Sequence, residues 1–130
     1  MEGGHARVAP IAALSIDALL TEYRENEFAA AAKYENTEPL RIQCLVGDRS
    51  DECRVVEIAG TIREMGRDDN GNGYIRLATA DQFVSVEARF GKAEHESLQT
   101  LRRGERVSVR CMVLYDTTTY RASAGLLLAR

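Results

Sequence analysis

Six arginines, Arg54, Arg63, Arg76, Arg89, Arg110 and Arg121, fall in stretches where apolar residues alternate with polar ones, and Arg67 stands in the turn-rich run 66–73, GRDDNGNG. Tyr74, Phe83, Tyr115 and Tyr120 accompany them. A guanidinium beside an aromatic ring suits single-stranded DNA or RNA, with charge for the phosphates and a flat face for the bases. The set expected to gather is Arg67, Tyr74, Arg76, Phe83, Arg89 and Tyr120. Tyr74 and Arg76 share a face by strand parity. Phe83 and Arg89 share a parity too, so a Phe83 in the core would carry Arg89 inward. The competing expectation is that these arginines are solvated strand positions paired with Glu57, Glu64, Asp81 and Glu87, which also guards sheet edges.

Charge and composition temper the nucleic-acid reading. The chain of 130 residues carries a net charge of −3, has no Trp, and is only 6% aromatic. A duplex-DNA binder usually shows a basic face. The acidity is uneven: residues 1–53 hold 5 basic and 10 acidic side chains, whereas residues 54–130 hold 12 and 10. The second part is therefore mildly basic.

Other chemistry is hard to assemble from this sequence. Cys44, Cys53 and Cys111 include no C-x-x-C pair, and His5 and His95 are isolated, so neither a zinc site nor a catalytic Cys-His pair is expected. Asp68, Asp69, Asn70 and Asn72 supply oxygens, but their spacing fails the calcium loop of an EF-hand. Glu27 falls at the centre of an apolar helical face with Leu20, Tyr23, Ala31 and Tyr34. A structural hydrogen-bond acceptor is the expected role there, because no partner acid or base stands at readable spacing. The expectation is a non-enzyme without metal or cofactor.

The positioning elements follow from periodicity. Residues 1–14 read as a flexible lead-in. From Ser15, a candidate N-cap, Ile16, Leu19, Leu20, Tyr23, Ala30, Ala31 and Tyr34 recur at helical spacing, predicting one amphipathic helix over 15–35 that ends before Asn36 and Pro39. The period then changes to two. Strands are expected over 41–46, 54–65, 74–80, 82–90, 105–115 and 120–130, with a short helix within 92–104 closed by Gly104. Segment 41–53 reads as an inserted hairpin, which would set Cys44 opposite Cys53 as reduced neighbours. Nothing resembles a signal peptide or a membrane span, and a cytoplasmic location is expected.

Five strands from residue 54 to 130, with a helix between the third and fourth, is the connectivity of an OB-fold barrel. Gly60, inside the first long strand, suits the bend such a strand makes. The predicted fold is a mainly β, five-stranded OB barrel over 54–130 in a single domain, 15–130, with the helix in front.

The run LLTEYRENEFAAAAKYEN (19–36) resembles the N-terminal signature of the tRNA-anti-like group of OB-fold proteins, through Leu20, Tyr23, Asn26, Glu27, Ala30 and Tyr34. VVEIAGTIREMG (55–66) and 84–113 resemble the group's first strand and its strand–helix–strand unit. The resemblance implies structural roles for Tyr23, Asn26, Glu27 and Tyr34. Residues 35–54 and the apolar close GLLLAR depart from the pattern. Two functions stay open: a module binding single-stranded nucleic acid, or a protein-interaction or regulatory module meeting a partner or a second copy through the helix, segment 41–53 and the last strand.

Overall fold

The computed structural model describes residues 9–46, 52–115 and 120–129. The chain is mainly β, a curled sheet of mixed strands with helices packed on it. The elements are β1 (Ala12–Ser15), α1 (Ile16–Glu25), α2 (Glu27–Tyr34), α3 (Glu38–Val46), β2 (Val56–Arg67), β3 (Gly73–Ala78), β4 (Ser85–Phe90), a 3-10 turn (Lys92–Glu94) leading into α4 (His95–Leu98), β5 (Arg106–Tyr115) and β6 (Tyr120–Ala129). Neighbours run β1–β2–β3–β4–β6–β5, and β2 also pairs with β5. The β1–β2 and β4–β6 pairs are parallel and the others antiparallel.

The strands form where alternation places them. Along β5, Val107, Val109, Cys111 and Val113 are buried, as period two requires. They meet Val56, Ile58 and Ile62 of β2, Ile75 and Leu77 of β3, and Val86, Ala88 and Phe90 of β4 in one core. Gly60 lies within that core. A Cβ there would stand 3.3 Å from Leu77 Cδ1 and 3.5 Å from Ile16 Cγ2, so glycine lets β3 and α1 approach the β2 backbone.

The N-terminal helix differs from expectation. It is two helices, not one. Asn26 takes an extended conformation (φ −163°), accepts a hydrogen bond from Ala29 N at 3.1 Å and caps α2, while its own N–H donates to Glu22 O. A short polar side chain that satisfies a free helix amide favours a new helix start over continuation. The break folds α2 back on α1. Tyr23 donates its hydroxyl to Glu35 Oε2 at 2.6 Å, and Tyr34 donates to Glu22, which also holds Lys33 at 3.1 Å. Each tyrosine is 12 residues from its carboxylate. In a straight helix that is roughly 18 Å, beyond any hydrogen bond. Glu27 is exposed in the first turn of α2, where a carboxylate complements the helix dipole, and not on the buried face as predicted. Ser15 caps α1 as expected, accepting from Ala18 N at 3.2 Å.

Three further expectations are corrected. Residues 12–14, placed in the flexible lead-in, form β1 together with Ser15, alongside β2; residues 1–8 lie outside the described residues. The strand expected over 41–46 is α3. Pro39 sits in its first turn, where the missing amide hydrogen costs nothing, so this proline opens a helix. Cys44 is therefore no strand neighbour of Cys53, and the two are joined in a disulfide with a Cα–Cα distance of 5.9 Å. The hairpin tip expected at 48–49 falls outside the described residues. Cys44, Cys53, Val55 and Met112 make a small second apolar cluster against Leu40. Cys111 is a free thiol, and burial pushes it up to about 12.

The disulfide closes a short loop of sequence separation 9. Cys44→Ser is expected to lower stability by about 2–3 kcal/mol in a urea titration. The unfolded, non-reduced wild-type chain should yield one free thiol; three would remove the bond.

Glu22 titrates with a clear sign. The Tyr34 hydroxyl, and then Lys33, hold its carboxyl below the ordinary 4.5. Its contribution is thus present above pH 4.5 and is lost as pH falls through the lower folded value. Tyr34→Phe should flatten the fall of Tm as pH drops below 4.5. An unchanged slope would show that the pair does not contribute.

Candidate nucleic-acid interface

On β3, Gly73, Ile75 and Leu77 are buried, so Tyr74 and Arg76 point outward. On β4, Val86, Ala88 and Phe90 are buried, so Glu87 and Arg89 point outward. The register sets Glu64 of β2 opposite Arg76, Arg76 opposite Glu87, and Glu87 opposite Arg121 of β6. One row of alternating charge thus crosses β2, β3 and β4. The next row places Gly66, Tyr74 and Arg89 side by side.

These groups hold one another. Arg76 Nη1 lies 3.0 Å from Glu64 Oε2, and Arg76 Nε lies 3.5 Å from Glu87 Oε1. Glu87 also takes Arg89 Nε at 2.7 Å, while the Tyr74 hydroxyl reaches Glu64 at 3.4 Å. The Arg76 guanidinium sits 5.1 Å from the centre of the Tyr74 ring, in reach of a cation–π contact. Burial works against the Arg76 charge, but the Glu64 carboxylate more than restores it, and its pKa stands above the ordinary arginine value. The outcome combines both sequence expectations. Tyr74, Arg76 and Arg89 share one face, and of the carboxylates named as partners Glu64 and Glu87 pair with these two arginines. Arg76 is 39% exposed and Arg89 45%, so both remain open to a ligand.

The remaining predicted residues are placed as follows. Arg67 ends β2 opposite Gly73 and is exposed. Phe83 is not in a strand. It lies 87% exposed in the β3–β4 turn, where Asp81 Oδ1 accepts from its amide at 2.9 Å, so it neither joins Tyr74 nor drags Arg89 inward. Tyr74 lies four residues before Ala78, where β3 ends, roughly 13 Å from that turn. Tyr120 opens β6 in register with Val86 and Tyr115. Arg54 lies ahead of β2, donating to the carbonyls of Ala32 and Lys33 at the end of α2. Arg63 sits at the irregularity between Ile62 and Glu64 and donates to Gln82 O and Val84 O. In the β2–β3 loop, Asp68 Oδ1 accepts from Asn70 N and Asn72 N at 2.9 and 3.0 Å, which makes it a turn former. Among the described residues, no cluster of three or more His, Cys, Asp or Glu could hold a metal ion.

The sequence reading missed a cleft beside this face, lined by Met65, Gly66, Arg67, Gly73, Tyr74, His95, Leu98 and Gln99. Its one legible sign was the spacing of His95 and Leu98, which places both on one side of a helical turn.

Comparison with known proteins adds the following. The tRNA_anti-like family model matches residues 2–116. No curated protein sequence matches the chain. Among solved structures the chain is similar to a Klebsiella pneumoniae protein assigned as a nucleic acid-binding lipoprotein, with a TM-score of 0.61 and 15% identity over 95% of this chain and 93% of that one. At that identity the likeness is one of fold. Further matches are the Schizosaccharomyces pombe Stn1–Ten1 complex (TM-score 0.44, 14% identity, 57% of each chain) and yeast Stn1 and Ten1 (0.47, 8%, 92% of this chain and 63% of that one). No helix among the described residues is long and apolar enough to cross a membrane.

The charged row is half-open to water, so its pairs are weak. Glu64→Gln and Glu87→Gln are each expected to change unfolding free energy by less than about 1 kcal/mol. A loss of several kcal/mol in a urea titration would make the row a structural lock instead.

Proposed function

The chain belongs to the tRNA_anti-like family, and from that premise we propose that it is a non-catalytic OB-fold module binding single-stranded nucleic acid across β3 and β4. The reading takes the ring of pairings β2–β3–β4–β6–β5 as a five-stranded OB barrel, in which the second and third barrel strands form the usual ligand face. One observation carries it: Tyr74, Arg76 and Arg89 share an outward face, with the tyrosine ring beside a guanidinium. Arg76 and Arg89 meet phosphates and Tyr74 stacks on a base. The nucleic-acid assignment of the Klebsiella protein of similar fold supports this reading. The Cys44–Cys53 bond supports an oxidising compartment in place of the cytoplasm expected from sequence.

A second reading rests on Phe28, 83% exposed on α2, and Ile42, 53% exposed on α3. Apolar groups so open to water suit a protein partner or a second copy on the helical side.

Fluorescence anisotropy with a labelled oligo-dT separates the two. Wild type should bind at tens of micromolar or tighter in low salt. With two arginines on phosphates, log K should fall against log salt with a slope of about −1.4. Arg76→Glu should weaken binding about tenfold, while Glu64→Gln with Glu87→Gln should strengthen it by releasing both arginines. No binding by wild type would leave the partner reading in its place.

A further inference from the structure

The cleft missed by the sequence reading has a volume of about 350 Å³ and lies between the adjoining ends of β2 and β3 and the His95–Leu98 turn of helix. Two glycines shape it. A Cβ on Gly73 would stand 2.4 Å from Leu98 Cδ1 and 3.8 Å from His95 Cδ2, and one on Gly66 would stand 2.9 Å from the Tyr74 hydroxyl oxygen. The helix and the tyrosine ring therefore approach the sheet where no side chain intervenes. Most of the lining is apolar, but His95 Nε2 is buried and has no hydrogen-bond partner among the described residues. A buried nitrogen left unpaired is costly, and because it is closed to water a turn of the His95 ring toward the cleft is what would pair it with a ligand there and remove the cost.

We infer that this cleft receives one unstacked base of the strand that crosses Tyr74, Arg76 and Arg89; the inference rests on the proposed function. Tyr74 belongs to both the face and the cleft, so a strand leaving the face passes directly over the opening. The volume is near the bottom of the range for small-molecule pockets, roughly 300–1,000 Å³, which suits one heterocycle and excludes a stack. A neutral imidazole nitrogen can donate to a base carbonyl or accept from an exocyclic amine. The Gln99 amide, exposed at the rim, can do both, and Arg67 stands at the rim for the phosphate of the same nucleotide. An apolar peptide side chain would fill the space and leave the imidazole unpaired, which favours a base.

The test uses the full chain and two probes, dTMP and a labelled oligo-dT, with the His95 ring and Leu98 methyl resonances followed by NMR. Saturable shifts at His95 and Leu98 are expected with either probe. One abasic position in the oligonucleotide and His95→Leu should each weaken oligonucleotide binding by about tenfold. If His95→Leu fails to fold, Met65→Trp, which fills the cleft from β2, should produce the same loss. Oligonucleotide binding that shifts Arg76 and Arg89 but not His95 or Leu98 overturns the inference and leaves the face reading intact. Saturation of His95 by dTMP without oligonucleotide binding upholds the cleft as a base site and overturns the face. No shift with either probe overturns both.

Discussion

Strand β2 serves three partners, and the rest of the sheet depends on how it divides them. Residues 56–61 pair with β5, while 56–59 also pair with β1, so β1 and β5 occupy opposite edges. From Ile62, which pairs with Leu77 and whose backbone bonds to Gly104 and Glu105 continue the β5 side, the other edge belongs to β3. A strand that hands one edge from β1 to β3 needs an interruption. It comes between Ile62 and Glu64, where the register with β3 slips, just after Gly60 has let Leu77 and Ile16 close on the backbone. That slip sets Glu64 and Gly66 opposite Arg76 and Tyr74. The candidate interface is thus a consequence of the division of β2. Arg63, the residue within the slip, turns its side chain to the β3–β4 turn and ties the two features together.

The helices answer a different constraint. Two short helices of 10 and 8 residues are each marginal in isolation. They are held by burial of Leu20, Tyr23, Ala30 and Tyr34 in the sheet's core and by two reciprocal tyrosine–carboxylate bonds across the Asn26 turn. Burial is the larger contribution, since a fully buried side chain of this kind is worth about 1.5–3 kcal/mol and a hydrogen bond about 1. The bonds supply direction: they leave each buried tyrosine oxygen satisfied in one arrangement of α1 against α2. This gives Tyr23, Asn26 and Tyr34, three of the residues on which the resemblance was read, a structural purpose, and it places Glu27 outside that purpose.

Legibility tracked the range of the interaction. β3, β4 and β5 were readable because period two is local: the buried residues of β3 and β4 alternate throughout, and those of β5 do so up to Cys111, where Met112 is buried as well against the second apolar cluster. The break at Asn26 was not, since an Asn is a cap only once a second helix is assumed, and the apolar spacing of 16–34 continues through it. Segment 41–46 was ambiguous: RIQCLV fits a strand by composition, and the decisive signal was Pro39 in a first helical turn. The disulfide was missed for a separate reason: Cys44 and Cys53 were expected to be neighbours, but reduced, because a cytoplasmic location was expected. The Tyr74–Arg76–Arg89 face was half-legible, as parity put Tyr74 and Arg76 together but could not place Phe83 in a turn. The cleft was illegible because it joins Met65–Tyr74 to His95–Gln99, about thirty residues away in sequence, through approaches that only Gly66 and Gly73 permit.

The balance of charge on the face decides what kind of binding it can support. Arg76 and Arg89 are offset by Glu64 and Glu87, so a phosphate meets paired cations. Displacing a half-exposed ion pair costs about 0–1 kcal/mol, and a phosphate in its place returns a similar amount. On the proposed reading, phosphate contacts on this face therefore contribute little net affinity. They contribute geometry, because guanidinium groups already held by carboxylates lose less freedom on binding. Base stacking, worth roughly 1–3 kcal/mol per base, is then the larger favourable term. With Tyr74 the described aromatic side chain on the face, few bases can be held that way. On the proposed reading, one tyrosine platform among the described residues, with the adjoining cleft, favours a short stretch of strand gripped by its bases over a long one gripped by its backbone. That is also the arrangement an acidic chain with a net charge of −3 can sustain, since a base carries no charge for the protein's own field to repel.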